Sequence, residues 1–320
     1  MKVTLVSTVL NEARSLPTLL DSIAAQTRQP DEVIICDGGS TDNTIDLLRA
    51  ERRFPLRVIE HPGANISQGR NVAIAAASGE VIACVDAGVR LDPKWLEKLV
   101  AQDGVLRHQV VAGFFLPDGH TPFEVAMGAT VLPQLADIQP EKFLPSSRSV
   151  AFTKAAWQAV GGYPEWIDYC EDLLFDLALR EKFGAFAFAP EAIAYFKPRS
   201  SLKPFFRQYY LYARGDGKAN LWLKRHLIRY GTFLIGVPAI ALLGVICPWF
   251  WLLYVIGAAL YLKRPYQRLR PMLRGLGRSA FAQLKTIGWV PIIRVAGDIA
   301  KMLGYPVGVR WRLKHKPGRF

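Results

Sequence analysis

The chain has 320 residues, 51% of them hydrophobic, and a formal net charge of +13, so it can bury one large domain or one domain plus an appendage. Its four cysteines, Cys36, Cys84, Cys170 and Cys247, lie far apart with no CxxC spacing. That spacing indicates neither a zinc site nor a disulfide framework and fits a reducing compartment.

Residues 1–8 are too short an apolar run for a signal peptide and lack a small-residue cleavage site, so residues 3–8 read as a first strand. Strand and helix patterns then alternate: a helix over 16–25, a strand over 32–36, a helix over 42–49, a strand over 56–60, a helix over 67–77 and a strand over 81–85. This alternation predicts an α/β layer with a mostly parallel sheet. Ligands bind beyond the carboxyl ends of such strands, so Thr8, Asn11 and Glu12, the turn Asp37-Gly38-Gly39-Ser40 and the pair Asp86-Ala87 are expected to converge on one crevice. The first turn lacks the Gly-x-Gly-x-x-Gly pattern, which disfavours a nicotinamide oxidoreductase. Further on, Glu171-Asp172 precede an apolar pattern of helical spacing, where backbone dipoles favour negative charge.

Beyond residue 200 the composition changes. Residues 201–320 hold 21 Lys+Arg against only Asp216 and Asp298, whereas the first 200 hold 19 basic and 25 acidic groups. Two regions with different partners are therefore expected, with their boundary near 198–204. The run from Arg207 through Gln208 and Arg214 to Lys218 interleaves cations with tyrosines, as an interfacial helix would, and 201–230 reads as an amphipathic linker. Residues 231–262 carry no ionisable side chain except tyrosine and Cys247, and basic residues flank them on both sides. One straight helix of that length would run roughly 48 Å, well past a hydrocarbon core of about 30 Å. Pro248, beside Trp249-Phe250-Trp251, interrupts the run, which favours a membrane hairpin or re-entrant pair with both ends cytoplasmic over a buried pair of core helices. Over 263–320, Ala280, Leu284, Ile287, Pro291, Val295, Ile299 and Met302 recur at helical steps and predict an amphipathic helix at the membrane surface, bent at Pro291. The tail from Arg310 to Lys316 mixes cations with Trp311 and Leu313, which suits anionic headgroups better than nucleic acid.

Taken in order, Thr8-Val9-Leu10-Asn11-Glu12, Asp37-Gly38-Gly39-Ser40-Thr41-Asp42, Gly69-Arg70-Asn71, Ser78-Gly79-Glu80, Asp86-Ala87-Gly88, Gly161-Gly162-Tyr163 and Glu171-Asp172 resemble the motifs of family 2 glycosyltransferases of the GT-A fold, over roughly residues 1–220. The resemblance implies an inverting transfer from a nucleoside-diphosphate sugar, a UDP-sugar first, usually assisted by Mg²⁺ or Mn²⁺. It sets Glu12 and Asp37 on the base and ribose, with Thr8, Asn11, Gly39, Ser40 and Ala87 around the donor. Arg70 falls near the diphosphate, and Asp86 near the ribose and metal. The family's second metal-binding aspartate is Gly88 here, which leaves three readings: weaker metal binding through Asp86, a substitute such as Asp92, or neutralisation by basic side chains.

The resemblance makes Asp172 the base that takes the acceptor's proton, with Glu171 as alternate. It places Gly162, Tyr163 and Trp166 in the acceptor loop. Gln208, Arg214 and Lys218 loosely resemble an element of membrane-bound relatives, where Arg214 and Lys218 would neutralise the leaving diphosphate or orient a lipid phosphate. The expected enzyme acts on a lipid-linked or membrane-proximal glycan in envelope polysaccharide assembly, from the cytoplasmic face. A polyprenyl-phosphate glycosyltransferase and a non-catalytic membrane-tethered binding module are the alternatives; nucleic acid is not an expected partner.

Overall fold

The computed structural model describes residues 1–101, 104–273 and 279–315; Lys316, at the end of the basic tail, lies outside them. The elements run β1 (Val3–Val9), α1 (Leu16–Ala24), β2 (Glu32–Asp37), α2 (Thr44–Ala50), β3 (Leu56–Glu60), α3 (Ile66–Ala76), β4 (Val81–Cys84), β5 (Val89–Leu91), α4 (Trp95–Leu99), α5 (Gly104–His108) and β6 (Val110–Pro117). They continue as α6 (Pro122–Val131), β7 (Val150–Thr153), α7 (Lys154–Ala159), α8 (Glu171–Phe183), β8 (Ala187–Phe196), α9 (Leu202–Lys218), α10 (Leu223–Tyr230), α11 (Val237–Ile246), α12 (Trp251–Leu273) and α13 (Ala280–His315).

Two compact units result. Among the described residues, one comprises those of 1–116 and 135–197; the other comprises those of 117–134 and 198–315. The first is built on an eight-stranded sheet in the order β3-β2-β1-β4-β7-β6-β8-β5. The four strands β3-β2-β1-β4 are parallel, as the alternation of strand and helix predicts. The other half departs from the mostly parallel expectation, because β7 runs antiparallel to both β4 and β6, and β5 antiparallel to β8. The sheet is therefore mixed, and a hairpin-poor sequence gives no local sign of it: β5 and β8 lie about a hundred residues apart.

Strand periodicity explains the core. Leu5, Val33, Ile35, Val81 and Ala83 face one side and pack under α1 and α4 with Leu16, Leu19, Ile23 and Trp95. Their neighbours Val6, Ile34, Cys36, Ile82 and Cys84 face the other side and meet Ala73 and Ile74 of α3 and Phe175 and Leu179 of α8. Burial on both faces is why apolar residues stand at successive positions of these strands, as in Val33-Ile34-Ile35-Cys36 and Val81-Ile82-Ala83-Cys84, rather than only at alternate ones.

The second unit is helical. Residues 117–134, within the stretch expected to form the α/β domain, belong to it through α6, whose Phe123 meets Phe205 of α9 and Trp289 of α13 edge to face. Helix α13 lies close along α9 because small residues line the contact: a Cβ on Gly304 would sit 2.1 Å from the Tyr210 carbonyl oxygen, and one on Gly308 2.0 Å from that of Arg214. Residues 223–246 form a single helical run, long and apolar enough to cross a membrane, and it ends at Cys247 before Pro248. Helix α12 returns alongside, with Trp251 packed on Gly244 and Tyr254 donating to the Val237 carbonyl. Along α13 the stripe Leu284, Ile287, Val295 and Ile299 is solvent-facing, while Val290, Ile293, Gly297 and Ala300 form the buried side. The helix thus carries two apolar faces, of which only one is packed.

Candidate active site

The turns after β1 and β2 are joined by their own polar groups. The Asn11 N–H donates to Ser40 Oγ at 2.8 Å, Asn11 Oδ1 accepts from the Thr41 N–H at 2.8 Å, and the Glu12 N–H donates to Thr44 Oγ1 at 2.9 Å. Asn11 has a φ of 57°, a left-handed conformation that asparagine tolerates. Asp37 is buried and turned into its own loop: Oδ2 accepts from the N–H groups of Gly39 and Ser40 at 2.8 Å each, and Oδ1 accepts from Ser40 Oγ. Its first task is to shape the turn. Gly39 is required there, at a φ of 100° with a Cβ position 3.1 Å from Pro62 Cα. The Glu12 carboxylate accepts from Ser15 Oγ, and Thr8 is half-buried beneath α3.

Each residue of Gly69-Arg70-Asn71 has a distinct physical reason. A Cβ on Gly69 would stand 2.9 Å from Thr8 Cγ2, so glycine lets α3 settle on the ends of β1 and β2. Arg70 is only 2% exposed and forks between two acids, Asp86 Oδ1 at 2.8 Å and Glu171 Oε1 at 3.0 Å. Burial works against its charge, but Asp86 and Glu171 outweigh that and hold the guanidinium protonated. Asn71 fastens the loop before α8: its Nδ2 donates to the Tyr163 carbonyl and to Glu165 Oε1, each at 2.8 Å, while its Oδ1 accepts from the Tyr163 N–H and from Trp157 Nε1. Gly162, at a φ of 81°, is crowded by Asn71 and Trp157, leaving no room for a side chain.

Tyr163, expected at the acceptor, is instead inside the protein. It is 1% exposed, stacks on Phe175 at 4.0 Å, shares a hydrogen bond with Ser147 Oγ and lies under the Arg70 guanidinium. The ring covers the Arg70 guanidinium, whose central carbon lies 5.1 Å from the ring centroid. Trp166 is half-buried in the same loop.

Helix α8 begins after two consecutive non-glycine residues in the left-handed region, Tyr169 and Cys170, with φ of 73° and 67°. Such a start costs roughly 1–2 kcal/mol per residue, and strain of this kind collects at functional sites. It delivers Glu171 inward and Asp172 to a half-buried position, where Asp172 Oδ2 accepts from Ser146 Oγ at 3.4 Å. Burial, reinforced by the neighbouring Asp172 and opposed by Arg70, raises the Glu171 pKa. One turn on, Asp176 is 3% exposed, its Oδ2 has no hydrogen-bond partner, and burial pushes its pKa well above the ordinary carboxylate range.

Two residues at this site are not legible in the sequence. The β4–β7 ladder pairs Cys84 with Val150, and the same register carried two steps further sets Arg148 opposite Asp86. Arg148 Nε indeed lies 3.3 Å from Asp86 Oδ2, its Nη1 donates to Ser146 Oγ, and its guanidinium rests on the rings of Phe196 and Phe115 at 4.8 and 5.6 Å. Asp176 is the other, a carboxyl set among Phe175 and Leu179 on the core side of α8.

The divalent cation usual for this fold does not fit these donors. Both oxygens of Asp86 face guanidinium groups, residue 88 is glycine, and among the described residues no three His, Cys, Asp or Glu side chains converge. Nor is the space taken by something else, since a Cβ on Gly88 would meet no atom within 4 Å.

The remaining site residues of the sequence reading lie in the helical unit. Gln208 Nε2 donates to the Tyr212 hydroxyl at 2.7 Å and its Oε1 accepts from Arg199 Nε. Arg214 is half-buried, with its backbone under Gly304 and Gly308, and the Lys218 ammonium sits 4.7 Å from the Trp311 ring centroid.

A half-parallel, half-antiparallel sheet of this order, with Asp86 just past β4 and paired carboxylates at the head of α8, defines a GT-A-type glycosyltransferase fold. Residues 4–144 match the family model described as "Glycosyl transferase family 2". Among relatives, an undecaprenyl-phosphate 4-deoxy-4-formamido-L-arabinose transferase of Serratia proteamaculans is 36% identical over 112 residues, 32% of this chain and 34% of its own length. An uncharacterised glycosyltransferase of Nostoc is 36% identical over 103 residues, 31% of this chain and 32% of its own. The O-antigen chain rhamnosyltransferase RfbN of Salmonella typhimurium is 23% identical over 222 residues, 66% of this chain and 71% of its own. The chain thus matches about a third of the length of the first two. Among solved structures, the mannosyltransferase PcManGT of Pyrobaculum calidifontis, in complex with GDP-Man and Mn²⁺, superposes with a TM-score of 0.54 at 18% identity, over 99% of this chain and 88% of that one. Residues 1–349 of S. aureus TarS in complex with UDP give 0.50 at 19% identity, over 99% and 92%. Both likenesses concern the fold.

Proposed function

We propose that this protein transfers a sugar with inversion from a nucleoside-diphosphate sugar, a UDP-sugar first, to a lipid-linked or membrane-proximal acceptor. The observation that carries the reading is the Arg70 fork, which ties Asp86 beyond β4 to Glu171 at the head of α8 and thereby fixes Asp172 beside it. In this reaction an acceptor hydroxyl attacks the anomeric carbon, its proton passes to Asp172, a new glycosidic bond forms on the opposite face, and the bond to the diphosphate breaks. Glu171 is the poorer base because it is buried and committed to Arg70; Asp172 is the more accessible of the two. Asn11, Glu12 and the 37–42 turn cradle the nucleotide, with Asp37 holding the turn in shape.

The neighbours bound to UDP and to GDP-Man support a nucleotide-sugar donor. The undecaprenyl-phosphate transferases among the relatives favour a second version of the acceptor, a polyprenyl phosphate whose phosphate oxygen is the nucleophile. The helical run 223–246, with Lys224, Arg225 and Arg229 in its first turns, supports anchorage in a membrane carrying anionic lipid, with the transferase domain on the cytoplasmic side.

Incubation of detergent-solubilised protein with radiolabelled UDP-sugars and either polyprenyl phosphate or lipid-linked saccharides tests the reading. Labelled lipid product with the wild type and none with Asp172→Asn is expected. Equal product from both would remove Asp172 from its role.

A further inference from the structure

We propose that Arg148 binds the diphosphate of the donor in place of a divalent cation, so that this transferase engages its nucleotide without metal. The inference rests on the donor reading above and adds the identity of the group that meets the diphosphate.

Three observations converge on it. The first is the donor set: a hard cation needs several oxygen ligands, and here Asp86 offers its oxygens to Arg70 and Arg148 while position 88 contributes no side chain. The second is the placement of Arg148. The antiparallel register of β4 and β7 sets it directly across from Asp86, two residues before the missing ligand, so a positive group already stands where the cation's charge would be needed. The third is its mounting. Phe196 and Phe115 support the guanidinium, and Ser146 accepts one of its N–H groups, so its orientation is set by the fold.

A guanidinium presents five donors in a planar fork that matches two phosphate oxygens and stays charged at any working pH, the properties a metal-free diphosphate site requires. Arg148 and Arg70 are not equivalent in this role. Arg70 is almost wholly buried and holds Asp86 at 2.8 Å, whereas the Arg148 side chain is 21% exposed and holds it at the longer 3.3 Å. Arg148 is therefore the partner that exchanges Asp86 for phosphate, and Arg70 the one that keeps Asp86 in place. Leaving-group charge formed as the anomeric bond breaks then falls on a fixed cation without reorganisation.

Isothermal titration of the detergent-solubilised full chain with UDP, and separately with GDP, in chelator and in Mn²⁺, tests the inference. Affinity within about twofold in the two conditions is expected. Arg148→Ala should weaken binding about 10- to 100-fold, the range for loss of a charged hydrogen-bonding partner, with Arg148→Lys intermediate; the unliganded melting temperature separates this from misfolding. Gly88→Asp, which the open space around residue 88 admits, should introduce Mn²⁺ binding, read by the broadened electron paramagnetic resonance of the ion, and should make Arg148→Ala rescuable by Mn²⁺. Wild-type binding that disappears in chelator would overturn the metal-free inference alone. Unchanged affinity in a folded Arg148→Ala would also overturn it. No binding of either nucleotide in any condition would overturn the donor reading and this inference together.

Discussion

Inside the α/β unit, ionisable side chains are drawn into the protein: Arg70 and Asp176 are 2% and 3% exposed and Glu171 is buried beside them. Inside the helical unit, large apolar side chains are turned outward, with Val245 and Trp249 each 78% exposed. Both arrangements are costly in water, and they call for different compensation. Buried charge is tolerated where it is paired and serves chemistry; outward apolar surface on this scale is tolerated where the surroundings are not water. The helical unit does contain a buried acid, Asp298, but it is pinned by Arg229 Nε at 2.7 Å and by the Tyr261 hydroxyl, a structural pairing between helices. The α/β unit instead leaves one buried carboxyl oxygen, Asp176 Oδ2, without a hydrogen-bond partner and a second carboxylate, Asp172, half-buried, an arrangement that collects at functional sites.

That contrast can be broken most severely at Asp172. Asp172→Asn removes the proposed base and should cost about 10²- to 10⁴-fold in kcat while leaving nucleotide affinity unaltered, as measured by transfer and titration on the same preparation. Arg70→Met comes next: it strands the buried Glu171 without its cation and leaves Asp86 to Arg148 alone, and a buried pair broken on one side costs about 3–5 kcal/mol, visible as a large drop in melting temperature. In the helical unit the corresponding weak point is apolar packing. Gly308→Leu drives a side chain into the backbone of α9 and should cost about 1–3 kcal/mol, the usual range for overpacking, read as loss of thermal stability in detergent.

The smallest effect is expected at Asp176 and has a definite sign. Its pKa is raised in the fold, so the folded chain binds more protons than the unfolded one above the ordinary carboxylate range, and stability falls as pH rises from there. Asp176→Asn should flatten that decline, leaving the variant's advantage over wild type greater at pH 8 than at pH 5 in paired melts. A steeper decline in the variant would return Asp176 to a charged role.

Much of this was legible in the residues themselves. The strand–helix alternation announces the parallel half of the sheet, and the ordered motifs announce the polar turns after β1 and β2, because local turn chemistry and short-range periodicity are written in neighbouring residues. What the sequence conceals is pairing at a distance. The antiparallel half depends on strands separated by tens of residues or more, and Arg148 reaches Asp86 only through the register of one such pair. Tyr163 illustrates the same limit from the other side: a tyrosine in a glycine-rich loop looks like a contact for substrate, yet the Asn71 side chain pulls that loop inward and buries the ring. Likewise nothing in the run 117–134 marks it as part of the helical unit until Phe123 is seen against Phe205 and Trp289.

The most direct test of a nucleotide-sugar site is the melting of the detergent-solubilised protein in the presence of UDP, GDP, dTDP and CMP. A ligand held at about 100 times its dissociation constant adds roughly 2.7 kcal/mol. One nucleoside diphosphate, UDP first, should raise the melting temperature clearly above the others. Indifference to all four would contradict the transferase assignment at its root.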